Sequence, residues 1–254
     1  MSRNIKNIFV ILIMINKAII ITLIMILSFN AYSLSIPKNN KVEFDIIRKN
    51  KKIGTHEITF TPKSIEGVEL RSMEIGDTKE KNVTIVETKI YIKVKVLLIT
   101  AYEFSHQSKE IWVNDTFTRI DAHTDFEDER EYFIKGYDDE NFFYAEGMDG
   151  QIKLSNEILP SNFWNIDILK EEELFDTQKG ISRKITVAEL GLETINIGDK
   201  KIKCKKFSFN ASSHPKDKGP FPEYTLWYSE ENELMKFEFV NWKDNKLVQI
   251  VRKK

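Results

Sequence analysis

Two histidines in this chain sit where an imidazole could do chemistry, His56 and His106. On its strand, His56 shares parity with Ile58 and Phe60. His106 shares parity with Phe104, Tyr102 and Leu98. Residues two apart on a strand share a face, so both rings point to the apolar side of a sheet. Beside Tyr102, two inward imidazoles suit the lining of a ligand cavity or a buried acid–base pair. The plainer reading is a pair of core histidines hydrogen-bonded to a carbonyl or a tyrosine hydroxyl, because buried polar groups are usually satisfied structurally.

Other constellations carry less. Asp121, His123 and Asp125 lie on one face of a strand, about 6.5 Å between neighbours, which would suit a loose metal site with a ligand from a neighbouring strand. The opposite face holds Ile120, Ala122 and Phe126, so the trio is expected in solvent, and no resident metal is assigned. Serine hydrolysis needs a nucleophile beside a base. There is no Gly-x-Ser-x-Gly elbow, Ser105 faces away from its neighbour His106, and Ser212-Ser213-His214 lies in a proline-rich loop. No Gly-rich phosphate loop occurs, so neither a catalytic residue nor a cofactor is implied.

The aromatic residues are more suggestive. Phe163 and Trp164 fall in the segment Pro160 to Lys170, whose apolar spacing predicts one short helix with Ser161 as N-cap. A helix there could wall one side of a pocket whose other side is a sheet. Trp227 and Tyr228 face opposite sides, so one of them is inward. The candidate ligand-binding set is therefore His56, Tyr102, His106, Phe163, Trp164 and Trp227.

Almost everything that positions these residues has period 2. Val42, Phe44 and Ile46 alternate with acids, and Ile58 and Phe60 with polar residues. Ile90, Ile92, Val94, Val96 and Leu98 alternate with Lys89, Tyr91, Lys93 and Lys95. This last run reads as one long strand, continuous from Ile85 to His106 with a bulge near Leu97 to Thr100. Turn signals stand at Lys49-Asn50-Lys51, Asp149-Gly150, Gly198-Asp199 and Asp244-Asn245. Many short strands and one short helix predict an all-β antiparallel meander. Such a sheet must manage its edges by closing into a barrel or curling into a half-barrel, here with the helix near 161–170 plugging one opening. The Pro-rich stretch Ala211 to Glu223 reads as a long loop at the rim, a candidate lid.

Residues 1–33 read as an export signal: Lys17, an apolar run from Ala18 to Leu27, and the small residues of Ala31-Tyr32-Ser33. Met14 offers a more compact start. The run is about half of what a spanning helix needs. The competing reading is an inner-membrane anchor over residues 8–29, against which Lys17 counts. Removing the signal takes away Arg3, Lys6 and Lys17 and no acid, moving the formal net charge from −1 to −4. Residues 34–254 then form a single β domain, mildly acidic and without a basic cluster for nucleic acid. One cysteine, Cys204, allows no internal disulfide. The Ile-, Lys- and Asn-rich composition suits a bacterium, so export means the periplasm, with peripheral association to the envelope as an option.

Phe44-Asp45 with Ile53-Gly54-Thr55-His56, Tyr102 to His106 followed by Glu110-Ile111-Trp112, Thr124-Asp125, Phe163-Trp164-Asn165, Asp176 to Gly180 and Leu226-Trp227-Tyr228 occur in that order. In this set the chain resembles a family of uncharacterised exported bacterial proteins. In outline that family is similar to the curved-sheet lipoprotein carriers LolA and LolB. The resemblance implies a fold and no site. Three functions follow as expectations. The first is a non-enzymatic envelope protein binding a lipid, another apolar or amphipathic small molecule, or a partner. The second is a structural or assembly factor with a filled core. The third is a hydrolase or isomerase using His56 and His106. Sequence leaves the oligomeric state open.

Overall fold

The computed structural model describes residues 34–65, 81–96, 99–126, 128 and 130–253. The expected export signal, with its alternative start and anchor, lies outside the described residues. No helix among the described residues is long and apolar enough to cross a membrane.

The chain runs through fifteen strands. They are β1 (Lys41–Arg48), β2 (Lys51–Ile65), β3 (Lys81–Val96), β4 (Ile99–Val113), β5 (Thr116–Asp125), β6 (Glu131–Asp138), β7 (Phe142–Gly147) and β8 (Gly150–Ser155). After β9 (Leu159–Pro160) comes a 3-10 helix (Ile166–Lys170). The remainder is β10 (Glu173–Asp176), β11 (Ile181–Ile197), β12 (Lys200–Ala211), β13 (Tyr224–Ser229), β14 (Leu234–Asn241) and β15 (Lys246–Arg252). All belong to one sheet, ordered 8-7-6-5-4-3-2-1-15-14-13-12-11-10-9. Every pairing is antiparallel except the short β9–β10 contact.

This order forces the sheet to curl. The two edge strands, β8 and β9, are far apart in the ladder but separated in the chain only by residues 156–158. A fully extended link of that length spans about 14 Å at most, so the edges of a fifteen-stranded sheet must come back together. No ladder joins them, so the sheet is curved and open rather than a closed barrel. The seam is tightened by a backbone hydrogen bond from Met148 N to Lys179 O (2.7 Å). Gly147 and Gly180 make the close approach there: a Cβ on Gly147 would lie 2.5 Å from Gly180 Cα.

The interior is the even-numbered face of the first strands. The buried pattern of β1 alternates through Val42, Phe44 and Ile46. Across the sheet one inward row runs Phe44, His56, Ile90, His106, Thr124 and Tyr132. Two features differ from expectation. Residues 85–106 are not one strand: β3 and β4 fold back as a hairpin, pairing from Val83↔Val113 to Val96↔Ile99. The fold-back sets the inward residues Ile90, Ile92 and Val94 opposite His106, Phe104 and Tyr102, joining two apolar faces that a continuous strand would leave unpaired. The helix is also a single 3-10 turn capped by Asn165, whose side chain accepts from Asp167 N at 3.1 Å. Ser161 does not cap it: its Oγ accepts from Thr177 N (3.3 Å) in the β10–β11 turn instead of from the helix.

Candidate functional site

The segment leading into the 3-10 helix fills one end of the curled sheet. Trp164 is buried against Phe60 (ring centroids 4.9 Å) and Trp112 (5.7 Å). Phe163 meets Phe209, Tyr224 and Phe237 at 5.0 to 5.2 Å, and its carbonyl accepts from the Tyr228 hydroxyl (2.7 Å). Below this plug the core is packed solid around Phe117, Phe143 and Phe175. Above it the sheet encloses a cavity of about 700 Å³.

Apolar side chains from opposite parts of the sheet form its inner wall. Ile53, Ile92 and Phe104 come from β2, β3 and β4, and Ile185, Phe209 and Val248 from β11, β12 and β15. Its opening lies among the turns that join β1 to β2, β5 to β6, β10 to β11 and β14 to β15, and under the loop from β12 to β13. Those turns carry charge. Arg48 pairs with Asp244 across the mouth. Arg183, almost wholly buried, donates through Nε to Asp176 (2.6 Å) and through both Nη atoms to Asp217 (3.0 and 3.1 Å). Burial alone would raise the Asp217 pKa, but Arg183 and Lys179 outweigh it and hold the carboxyl at about 2.

The loop of residues 212–223, expected as a rim element, is tied to three parts of the rim. Asp217 anchors it to Arg183 and Lys179. His214 Nε2 and Lys216 Nζ reach Asp149 at 2.8 and 2.7 Å in the β7–β8 turn. Lys218 reaches Asp128 (3.5 Å) between β5 and β6. The loop therefore straps the β12–β13 side to the far side of the seam.

Of the residues expected at a ligand site, Tyr102 and Phe163 line this cavity. The other four do not. His106 is buried in the wall and its Nδ1 lies 2.8 Å from Thr124 Oγ1. Burial, reinforced by the other imidazoles, pushes its pKa down to about 3. His56 lies between Phe44 (5.5 Å) and Phe237 (6.1 Å), and burial lowers it to about 4. Both rings are neutral at neutral pH. Ile90 separates them in the inward row, which puts them two strand spacings apart, about 10 Å. That is beyond hydrogen-bond reach for a mutual acid–base pair. Trp164 is core, for the reason given above. Trp227 faces the other way: it packs with Ile195, Ile197, Cys204 and Met235 in a separate cluster. Tyr228 is the inward member of that pair, because Tyr224, Leu226 and Tyr228 share the interior parity.

The Asp121–His123–Asp125 face is outward. His123 stacks on Phe133 (4.4 Å) and meets Glu131 (2.9 Å), and Asp121 meets Arg119 (3.3 Å). Among the described residues no group of His, Cys, Asp and Glu could hold a metal ion. Burial, reinforced by the Glu193 carboxylate, raises the Cys204 thiol to about 11. One buried group escaped the sequence reading. Glu110 is inward on β4, fully buried, and accepts from Trp112 Nε1 (3.0 Å) and from the Asn162 amide. Burial raises its pKa to about 7, against the opposing pull of those two bonds. Its parity with His106 and Trp112 was the available signal.

The sequence profile of a domain of unknown function, DUF6134, matches residues 44–252, which is nearly all of the described β domain. The chain belongs to the DUF6134 family. No curated protein matches it. Among solved structures this DUF6134 chain is similar to a beta-barrel-like protein of another domain of unknown function, DUF1849, from Brucella abortus. The identity is 9%, the TM-score 0.52, and the match covers 84% of this chain and 95% of that one. At that identity the likeness concerns the fold alone, and it agrees with a large curved sheet enclosing an interior.

Proposed function

We propose that this protein is a non-enzymatic carrier of the bacterial envelope, exported through residues 1–33, that holds an apolar or amphipathic small molecule such as a lipid inside its curled sheet. The observation that carries the reading is the apolar cavity of about 700 Å³. Ligand pockets of 300–1,000 Å³ with mostly apolar walls and a few polar groups are the usual form of small-molecule sites. A structural protein with a filled interior would pack the same side chains to crystal-like density. The curved-sheet carriers LolA and LolB supply an analogy of shape. The acid–base reading loses support because His56 and His106 are separated and lie outside the cavity lining.

The test is native mass spectrometry of the protein purified from its own envelope, with lipid extraction of the same sample. A co-purifying apolar molecule, depleted when Ile92→Trp narrows the cavity, is the expected result. A bare protein that also takes up no added lipid would overturn the reading in favour of a partner-binding role.

A further inference from the structure

The side chains around the cavity mouth divide into two groups. Seven are cationic: Arg48, Lys49, Arg130, Lys179, Arg183, Lys218 and Lys243. They face Asp176, Asp217 and Asp244 at the mouth, and Asp128, which meets Arg130 at 2.7 Å. Among the described residues the rim therefore has a surplus of three positive charges, on a chain whose overall net charge is −1. Most of the cations are committed to the fold. Arg48 is tied to Asp244, Arg183 to Asp176 and Asp217, Lys179 to Asp217, and Arg130 and Lys218 to Asp128. Lys49 and Lys243 have no carboxylate partner among the described residues.

These two lysines stand at neighbouring hairpin tips. Lys49 is in the β1–β2 turn and Lys243 in the β14–β15 turn. The hairpins are adjacent because β1 pairs with β15, with Arg48 opposite Val248. The Arg48–Asp244 ion pair ties the two tips together. Both lysines thus line one apolar opening, Lys243 Nζ lying 5.6 Å from the centre of the Trp242 ring, where low-dielectric walls focus the field of charge that no carboxylate neutralises. An oily cavity rimmed by cations without a carboxylate partner among the described residues is complementary to one ligand chemistry: a chain that enters the cavity and an anion that stays at the rim.

We propose that the cavity ligand is an amphiphile with an anionic head group, a carboxylate or phosphate monoester, held at the mouth by Lys49 and Lys243. The proposal rests on the reading that the cavity takes an apolar chain. The ammonium ions are exposed and strongly hydrated, so their contribution is modest and falls as salt rises.

The test measures displacement of the neutral fluorophore N-phenylnaphthylamine from the full chain. The competitors share one alkyl chain: laurate, dodecyl phosphate, dodecanol and dodecyltrimethylammonium. The two anionic amphiphiles should displace it about tenfold more tightly than dodecanol, equivalent to about 1.4 kcal/mol, with the cationic one weakest. The preference should shrink at high salt. A Lys49→Gln/Lys243→Gln variant should bind laurate and dodecanol alike. Equal displacement by all four on the native protein would overturn the head-group assignment and leave the cavity reading standing. No binding of the fluorophore or of any chain would overturn the cavity reading itself. Inorganic phosphate alone should not compete; if it bound as tightly as dodecyl phosphate, the rim would be a site for free anions and the amphiphile proposal would fall.

Discussion

Replacing Glu110 by Gln should change the sign of its effect on stability between acid and mildly alkaline solution. The carboxyl sits in the packed end of the sheet, with Trp112 Nε1 at 3.0 Å and the Asn162 amide on its other oxygen. Burial raises its pKa from 4.5 to about 7. A raised acid pKa means that the folded state binds the proton more tightly than the unfolded one. Its stabilising effect is complete below about pH 4.5 and is lost as pH rises through 7. Two and a half pKa units correspond to about 3 kcal/mol. Glutamine never pays that cost, but it mismatches one donor, at about 1 kcal/mol. Glu110→Gln should therefore be about 1 kcal/mol less stable than wild type near pH 4.5 and about 2 kcal/mol more stable near pH 8. Urea unfolding followed by tryptophan fluorescence at several pH values reads the difference, and other titrating groups cancel in the comparison. A difference that stays constant with pH would refute the argument, because it would mean that the carboxyl titrates as an exposed one.

Four further outcomes follow from other parts of the structure. His106 has the opposite linkage: its pKa is depressed to about 3, so its contribution is full above pH 6.5 and is lost on acidification. His106→Gln should lack a loss of about 2 kcal/mol between pH 6.5 and 5, seen as a flatter urea midpoint. Trp164→Ala should cost about 3–5 kcal/mol in urea unfolding, because the indole packs on Phe60 and Trp112. Gly219 has φ +119, and a Cβ there would lie 2.5 Å from Trp242 Cε2. Gly219→Ala should cost about 1–3 kcal/mol and shift the indole emission of Trp242. The Cys204 thiol, buried and raised to about 11, should react with a disulfide reagent only after denaturation.

The strand parity that sets the interior was legible because alternation survives even in a charged chain: Val42, Phe44 and Ile46 are inward as written. The hairpin tips at Lys49-Asn50 and Asp244-Asn245 were legible too, and Lys49, Asn50 and Asn245 take the positive φ that such turns need (50°, 58° and 53°). The β3–β4 hairpin was hidden, since Leu97-Leu98 has no turn residue and continues the apolar rhythm. Trp227 was misplaced because aromatic bulk outweighed parity; Tyr224, Leu226 and Tyr228 marked the inward face. The cavity mouth could not be read at all. Arg48, Arg130, Arg183 and Lys243 lie on turns spread along the chain, and only the curl imposed by the 156–158 link brings them to one opening.

The claim that an apolar chain occupies the curled sheet is tested most directly by methyl NMR on isoleucine-labelled protein titrated with laurate. Ile53, Ile92 and Ile185 line the cavity, whereas Ile195 and Ile197 belong to the separate cluster around Trp227. Saturable shifts confined to the first three are predicted. Shifts at Ile195 and Ile197 instead, or none anywhere, would contradict the account.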